Sequence, residues 1–496
     1  MTDNLVQLFL AAATLRPDAR FGMASEPWTL VRSVETSGRA AAAFRQPGLQ
    51  AGDRVALIGH TSMSYLLAWM ALHMLGVEVA LINPVYPAEL LTKMLAELEP
   101  HAVVWSGRSP DHATAPTVTH LDASDLAAGR LRVGGDVVQI AALSGVAQGA
   151  RRRPLDIAGY MHTSGTTGTP KFCAQTHSYF LRLGRFVADS LCLSPADTVV
   201  APLPMFHINP LGYGVIGALT AQADVLTVPR FSASQFWPTV LATHATVLVL
   251  HAPPVEILKR ATTAEDAAGH RVRAVFYADD EFLNRFAVPL GLSCYGSTEA
   301  AGLTHTWAWR RGEATSIPEG MARYGGRARP DVAWSVDAEG EILVRGDRPG
   351  VLFSGYRRGA TLENPLDADG WFHTGDLGRV DERGNLIFIE RRSDSIRVRG
   401  EYVPIAFVEQ RFADIESVHE AAVWRRESGL VDDEIVLFIV GDRLPLEDIR
   451  RVAGALPSFM RPTSVARIAA MPRDGGVGKL RRRLLASVVP LEASAL

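Results

Sequence analysis

Apolar residues along the first 140 positions switch between two rhythms. Residues 54–58, Arg-Val-Ala-Leu-Ile, form a short apolar run after Arg54, consistent with a buried strand. Residues 64–75 carry apolar positions at helical spacing, and residues 77–82 form the next apolar run, closed by Asn83-Pro84. Residues 87–98 are helical in pattern again. This β-α-β-α order predicts an α/β sheet covered on both faces. Further strands are expected at 198–201, 225–228 and 247–250, with apolar helical stretches between them.

After about residue 330 the pattern changes. Short strands at 341–344 and 385–389 alternate with Gly- and Asp-rich turns. A charged stretch at 390–399 then precedes a final segment with its own helix signal at 405–413 and strand signal at 435–440. The division is expected within that stretch, giving domains 1–392 and 393–496.

Composition sharpens this picture. A chain of 496 residues exceeds a domain of roughly 100–200 residues, so at least two are expected. The hydrophobic fraction of 47% is that of a globular protein, and the net charge of −3 gives no basic excess for nucleic acid. The three cysteines, Cys173, Cys192 and Cys294, lack ligand spacing; a zinc site and a disulfide framework are disfavoured, and a reducing cytoplasm is expected. Residues 1–15 contain Asp3 and no basic start, unlike a secretory signal. Residues 65–85 are interrupted by His73, Glu78 and Pro84. They are read as a buried helix and strand, not as a membrane span of about 20 apolar residues.

The strongest chemical signal is Tyr160-Met-His-Thr-Ser-Gly-Thr-Thr-Gly-Thr-Pro-Lys171. Its glycines allow backbone N–H groups to close on an anion. Its hydroxyls add donors and Lys171 adds positive charge, a combination suited to polyphosphate. Thr169-Pro170 separates Gly168 from Lys171, so the stretch is not a Walker A loop.

The stretch resembles the signature of the acyl-adenylate-forming superfamily, which holds acyl-CoA synthetases, peptide synthetase adenylation domains and beetle luciferases. Other segments resemble it in order: Pro204-Met-Phe-His207, Tyr295-Gly-Ser-Thr-Glu299, Gly340-Glu-Ile-Leu-Val-Arg-Gly346, Gly355-Tyr356, Trp371-Phe-His-Thr-Gly-Asp376, Ile396-Arg397-x-x-Gly400 and Gly478-Lys479. The similarity runs from about residue 25 to residue 490 and is strongest toward acyl-CoA synthetases.

The resemblance implies a large N-terminal domain of stacked α/β subdomains with a β-barrel-like subdomain, and a small mobile α+β C-terminal domain. It implies ATP and Mg²⁺ as requirements, with coenzyme A as thiol acceptor and a carboxylic acid as substrate. By the same resemblance Lys479, Glu299, Thr166 and Lys171 are catalytic, and Glu299 also holds Mg²⁺. Thr163, Ser164, Gly165, Thr167, Gly168, Ala278, Tyr295, Gly296, Ser297, Thr298, Asp376 and Arg391 would bind the nucleotide. His207, Ile208, Gly212, Ala252, Tyr277 and Leu303 would line the acyl pocket, and Ser393 would be the hinge. The acidic run Asp279-Asp-Glu281 has the composition of a metal site but occupies the family's adenine-binding segment.

Four departures from the family pattern stand out: Glu390, Ser393, Gly400-Glu-Tyr-Val403 and the glycine-poor Tyr277-Ala-Asp-Asp280. All but the last fall on the surface the family uses for thiol transfer. Two alternatives stay open: a ligase that stops at acyl-AMP and hands it to a carrier protein or other nucleophile, and a nucleotide-binding scaffold without chemistry. The pocket residues are mostly apolar or small, which favours a hydrophobic or aromatic acid. Residues 208–212, Ile-Asn-Pro-Leu-Gly, lack the acid that would hold an amino acid's ammonium group.

Overall fold

The computed structural model describes residues 2–107, 118–133, 136–143, 149–163, 170–313, 323–391, 396–398, 401–427, 433–473, 480 and 482–496. The chain divides into two compact units. The larger comprises Met1–Pro84, Leu95–His162 and Phe172–Glu390; the smaller comprises Val85–Met94, Thr163–Lys171 and Arg391–Leu496.

The larger unit is built on two mixed sheets, one of ten strands and one of thirteen. In the first, Ile157–Thr163, Glu78–Ile82, Arg54–Gly59, Ala102–Ser106 and Thr119–Asp122 lie side by side and parallel. The apolar runs of the first four are buried, as parallel strands covered on both faces must be, whereas in Thr119–Asp122 only Leu121 is. The helix Met63–Leu75 links two of them, and all thirteen of its residues are buried. A helix apolar on every side belongs inside a large core. Ser62 caps its start by accepting the Tyr65 N–H, and Gly76, at φ 84°, ends it in the left-handed region. Among the described residues no helix is long and apolar enough to cross a membrane.

In the thirteen-stranded sheet, Leu290–Tyr295, Ala274–Phe276, Val247–Val249, Thr198–Val200 and Asp224–Thr227 run parallel in that order. His305–Arg310 and Arg323–Ala328 continue the sheet in antiparallel pairing toward Leu386–Arg391, Phe372–Val380, Glu341–Gly346 and Val332–Val336. The antiparallel region expected as a barrel-like subdomain is therefore continuous with the parallel sheet.

The smaller unit carries the helix Ile405–Ala413 and a four-stranded mixed sheet of Glu420–Glu427, Asp433–Val440, Ser464–Arg467 and Glu492–Ala495. Trp424, Phe438, Ile468 and Leu485 share its core. Residues 392–395, around the expected domain boundary, lie outside the described residues.

Candidate active site

Four neighbouring parallel strands deliver four of the candidate segments from their carboxyl ends. Thr198–Val200 leads to His207, Val247–Val249 to Ala252, Ala274–Phe276 to Tyr277 and Ala278, and Leu290–Tyr295 to Gly296 and Glu299. Loops at that edge of an open α/β sheet converge, which is why ligands gather there.

The turn after Tyr295 is held from several sides. A Cβ on Gly296 would lie 2.4 Å from the Gly302 carbonyl oxygen and 2.7 Å from the Leu303 Cα, so only glycine fits. The Thr304 N–H and hydroxyl both donate to the Tyr295 carbonyl, at 3.0 and 3.1 Å. The Tyr179 phenol donates to the Thr298 carbonyl at 2.9 Å, and the Tyr213 phenol to the Gly302 carbonyl at 2.8 Å. Burial pushes the Tyr179 phenol well above its usual range, so it stays a neutral donor. Arg329, 2% exposed, donates to the carbonyls of Ala301 and Leu303 while paired with Asp331 at 2.6 Å.

Two buried carboxylates meet this turn. The Tyr295 phenol donates to Asp376 Oδ2 at 2.9 Å. Asp376 sits within the strand Phe372–Val380 where its pairing with Glu341–Gly346 shifts register; its N–H donates to Thr374 Oγ1 at 3.1 Å and the Gly375 N–H donates to Glu341 Oε1 at 2.8 Å. The second carboxylate, Glu299, accepts the Tyr356 phenol at 3.3 Å. Tyr356 lies on Gly355–Arg358, a strand of the ten-stranded sheet paired with Lys171–Thr176. The contact therefore joins the two sheets at Glu299. Sequence reasoning had Tyr356 and Glu341 only as motif letters, with no task. Beside Tyr295 lies His305, its ring 6.0 Å away, and burial draws its pKa down to about 3.

Thus the motif that runs from Tyr295 to Glu299 meets the one that ends at Asp376 through the Tyr295–Asp376 bond. The sequence pattern of AMP-binding enzymes matches residues 11–357, more than two thirds of the chain. This chain belongs to the AMP-binding enzyme family. Among AMP-binding relatives, it is 27% identical over 477 residues to the medium/long-chain-fatty-acid–CoA ligase FadD6 of Mycobacterium tuberculosis, covering 88% of this chain and 77% of that one. It is 28% identical over 428 residues to the crotonobetaine/carnitine–CoA ligase of Proteus mirabilis, covering 82% of each. The fold matches MenE, the o-succinylbenzoate CoA synthetase of Bacillus subtilis, with a TM-score of 0.82, 22% identity and coverage of 97% and 98%. It also matches ATP-bound MatB of Rhodopseudomonas palustris, with a TM-score of 0.65, 24% identity and coverage of 98% of each.

The remaining candidates of this AMP-binding enzyme are placed unevenly. Thr163 ends the strand Ile157–Thr163 and Lys171 opens Lys171–Thr176, neighbours in the ten-stranded sheet. Ser164, Gly165, Thr166, Thr167 and Gly168 between them lie outside the described residues, as do Ser393 and Lys479. The backbone of Arg391 closes Leu386–Arg391 and that of Ala252 opens Ala252–Ala261, but their side chains lie outside the described set. His207 and Ile208 lead into a π-helix, Asn209–Ile216, that contains Gly212. Such wide turns are rare and cluster at functional sites. Within it a Cβ on Gly212 would meet Leu183 Cδ2 at 2.6 Å. The His207 ring lies 6.3 Å from that of His162 and 4.7 Å from that of Phe206. Leu303 is buried, and Tyr277 is half-buried with φ at 71°. Ser297 Oγ accepts the Ala300 N–H at 3.1 Å. Among the described residues no group of three His, Cys, Asp or Glu side chains could hold a metal, so the run Asp279–Glu281 does not form such a site.

Proposed function

We propose that this protein uses ATP to activate a hydrophobic or aromatic carboxylic acid as acyl-AMP and then transfers the acyl group to coenzyme A. The observation that carries the reading is the Tyr295–Asp376 hydrogen bond. It joins the candidate adenine-facing ring to the candidate ribose-binding carboxylate, on the turn that ends at Glu299. The names of the two relatives, both acid–CoA ligases, support the thiol step.

In the first step a carboxylate oxygen attacks the α-phosphorus of ATP, the bond to the β-phosphate oxygen breaks, and pyrophosphate leaves. In the second a thiol sulfur attacks the acyl carbon, AMP leaves, and the thiol proton passes to solvent. Crowded negative charge is the main obstacle to the first step. Loop 163–171 and Lys479 are assigned to offset it, and Lys479 to hold the acid against phosphorus. Asp376 and Arg391 are assigned to the ribose, and Thr163, Ala278, Tyr295, Gly296, Ser297 and Thr298 to the rest of the nucleotide. His207, Ile208, Gly212, Ala252, Tyr277 and Leu303 are assigned to the acyl group.

Glu299 fits Mg²⁺: it is a buried hard-oxygen donor, and this ion is commonly held by one or two carboxylates together with substrate phosphates and water. Mg²⁺ bound there would supply charge neutralisation for the phosphates. Domains 1–392 and 393–496, hinged at Ser393, complete the reading, with the cytoplasm as its setting. No disulfide joins Cys173, Cys192 and Cys294.

The test supplies ATP, Mg²⁺ and a panel of fatty, aryl and terpenoid acids, with and without coenzyme A. Acid-dependent ATP–pyrophosphate exchange is expected, followed by thioester when coenzyme A is present. Exchange without thioester would leave an adenylating ligase that serves another nucleophile. ATP binding without exchange on any acid would leave a scaffold.

A further inference from the structure

Each carboxylate of the acidic run after Ala278 has a structural partner. Asp279 Oδ1 accepts the Phe282 N–H at 2.8 Å and caps the helix Asp280–Arg285. Asp280 Oδ1 accepts the indole N–H of Trp309 at 2.7 Å. The second Asp279 oxygen lies 2.6 Å from Lys259 Nζ, and Glu281 Oε2 lies 3.1 Å from the same ammonium. Glu256, one turn back on the helix of Lys259, is its third partner. The Lys259 side chain is 7% exposed. An ammonium has three N–H donors, and here it faces three carboxylates. Burial would lower its pKa, but hydrogen bonds to Asp279, Glu256 and Glu281 outweigh burial and raise it, so Lys259 stays charged.

The chain just before this clamp is strained. Tyr277 adopts φ 71°, a left-handed conformation that a bulky residue rarely takes. Its N–H is tied to the Leu292 carbonyl at 2.7 Å. Two anchors therefore flank Ala278: the strand-end bond at Tyr277 and the Lys259 clamp at Asp279. The helix cap at Asp279 and the Trp309 bond to Asp280 hold the helix start, and the Lys259 clamp adds a charged tie from a second helix to the residue next to Ala278.

We propose that Lys259 is a positioning residue for nucleotide recognition: by clamping Asp279 it holds Tyr277 and Ala278 in the turn that walls the adenine. The inference rests on the reading of Ala278 as adenine-facing. A purely structural clamp would tie the helix Ala252–Ala261 to the helix Asp280–Arg285 and leave base preference alone. A positioning clamp acts on the base.

The experiment compares Lys259→Met and Lys259→Arg with the unaltered enzyme. ATP–pyrophosphate exchange is measured with ATP and with ITP, whose base lacks the exocyclic amine. Lys259→Met is expected to raise KM for ATP about tenfold with kcat nearly unchanged, the pattern of lost binding. The preference for ATP over ITP should shrink, and Lys259→Arg should restore much of it. An equal rise in KM for both nucleotides, or a lower Tm with KM and preference unchanged, would overturn the proposal. If Lys259→Met does not fold, Asp279→Ser keeps a capping oxygen, removes the link to Lys259 and is held to the same outcomes. If the unaltered enzyme shows no exchange with any acid, the proposed activity has failed. Calorimetric binding of ATP and ITP to the same variants then decides the clamp by itself.

Discussion

The phenol of Tyr295 reaches the carboxylate of Asp376 across 81 residues of sequence, at 2.9 Å and away from solvent. A hydrogen bond to a buried charged group contributes about 1.5–3 kcal/mol. Tyr295→Phe removes the donor and keeps the ring. The expected result is a rise of roughly 10- to 100-fold in KM for ATP, since each 1.4 kcal/mol is a factor of ten, with a smaller change in kcat. Exchange kinetics over an ATP series check it. An unchanged KM would mean that this bond is not used in holding the nucleotide.

Glu299 depends on a weaker contact. The Tyr356 phenol reaches it at 3.3 Å, at the long end for a hydroxyl donor. Tyr356→Phe should therefore cost only about 0.5–1.5 kcal/mol, read as a few-fold increase in the Mg²⁺ concentration needed for half-maximal exchange. Glu299→Gln, which removes the charge itself, should cut exchange far more. If both variants leave the Mg²⁺ requirement unmoved, Glu299 is not the metal-binding carboxylate.

These two contacts mark where sequence reading stops. The strands at 54–58 and 77–82 were legible because a fully buried parallel strand must be an apolar run. The helix at 64–75 was read from apolar positions at helical spacing, and the structure buries it on every side. The motif letters at 295–299 and 371–376 were legible by resemblance. That Tyr295 touches Asp376 was not, because the contact depends on how distant strands take their places in one sheet. The π-helix Asn209–Ile216 also left no readable period, since its turn is wider than the 3.6-residue repeat used to find helices. His73 and His177 share no spacing, yet their rings lie 6.1 Å apart. The run Asp279–Glu281 could be read as a metal site because Lys259, its counter-charge, sits twenty residues before Asp279.

Gly296 offers a test of the turn without touching a charge. In Gly296→Ala the new methyl carbon would stand 2.4 Å from one backbone oxygen and 2.7 Å from a backbone carbon. Backbone held by Thr304, Tyr179, Tyr213 and Arg329 has little room to yield. Overpacking of this kind costs about 1–3 kcal/mol. Lower stability in urea, together with weaker ATP binding, is expected. Full stability with normal exchange would show that the turn is softer than its hydrogen bonds imply.

Acid should destabilise the protein through its buried imidazoles. Burial lowers the His305 pKa to about 3; burial, helped by the Arg152 charge, lowers that of His177 to about 4. Burial, then His177 and Arg152, holds His73 well below its usual value. His177 Nδ1 accepts the Leu5 N–H at 3.3 Å, a role that needs an unprotonated nitrogen. Unfolded histidines titrate near 6.5, so above about pH 6.5 neither state holds these protons. Below it the unfolded chain binds them and the folded chain does not, so stability falls with falling pH. The loss runs from about 6.5 down to about 4 for His177 and about 3 for His305, at up to ~1.4 kcal/mol per pH unit for each group. Glu78 and Glu97, raised by burial, and His373, raised by its bonds to Glu341 and Asp367, act in the opposite sense, but their shifts are smaller than those of the three buried imidazoles. Urea unfolding at pH 7.5, 6.0 and 5.0 measures the slope, and His305→Gln should make it shallower by about one proton's worth. A stability that stayed level from pH 7.5 to 5.0 would contradict neutral burial of these rings.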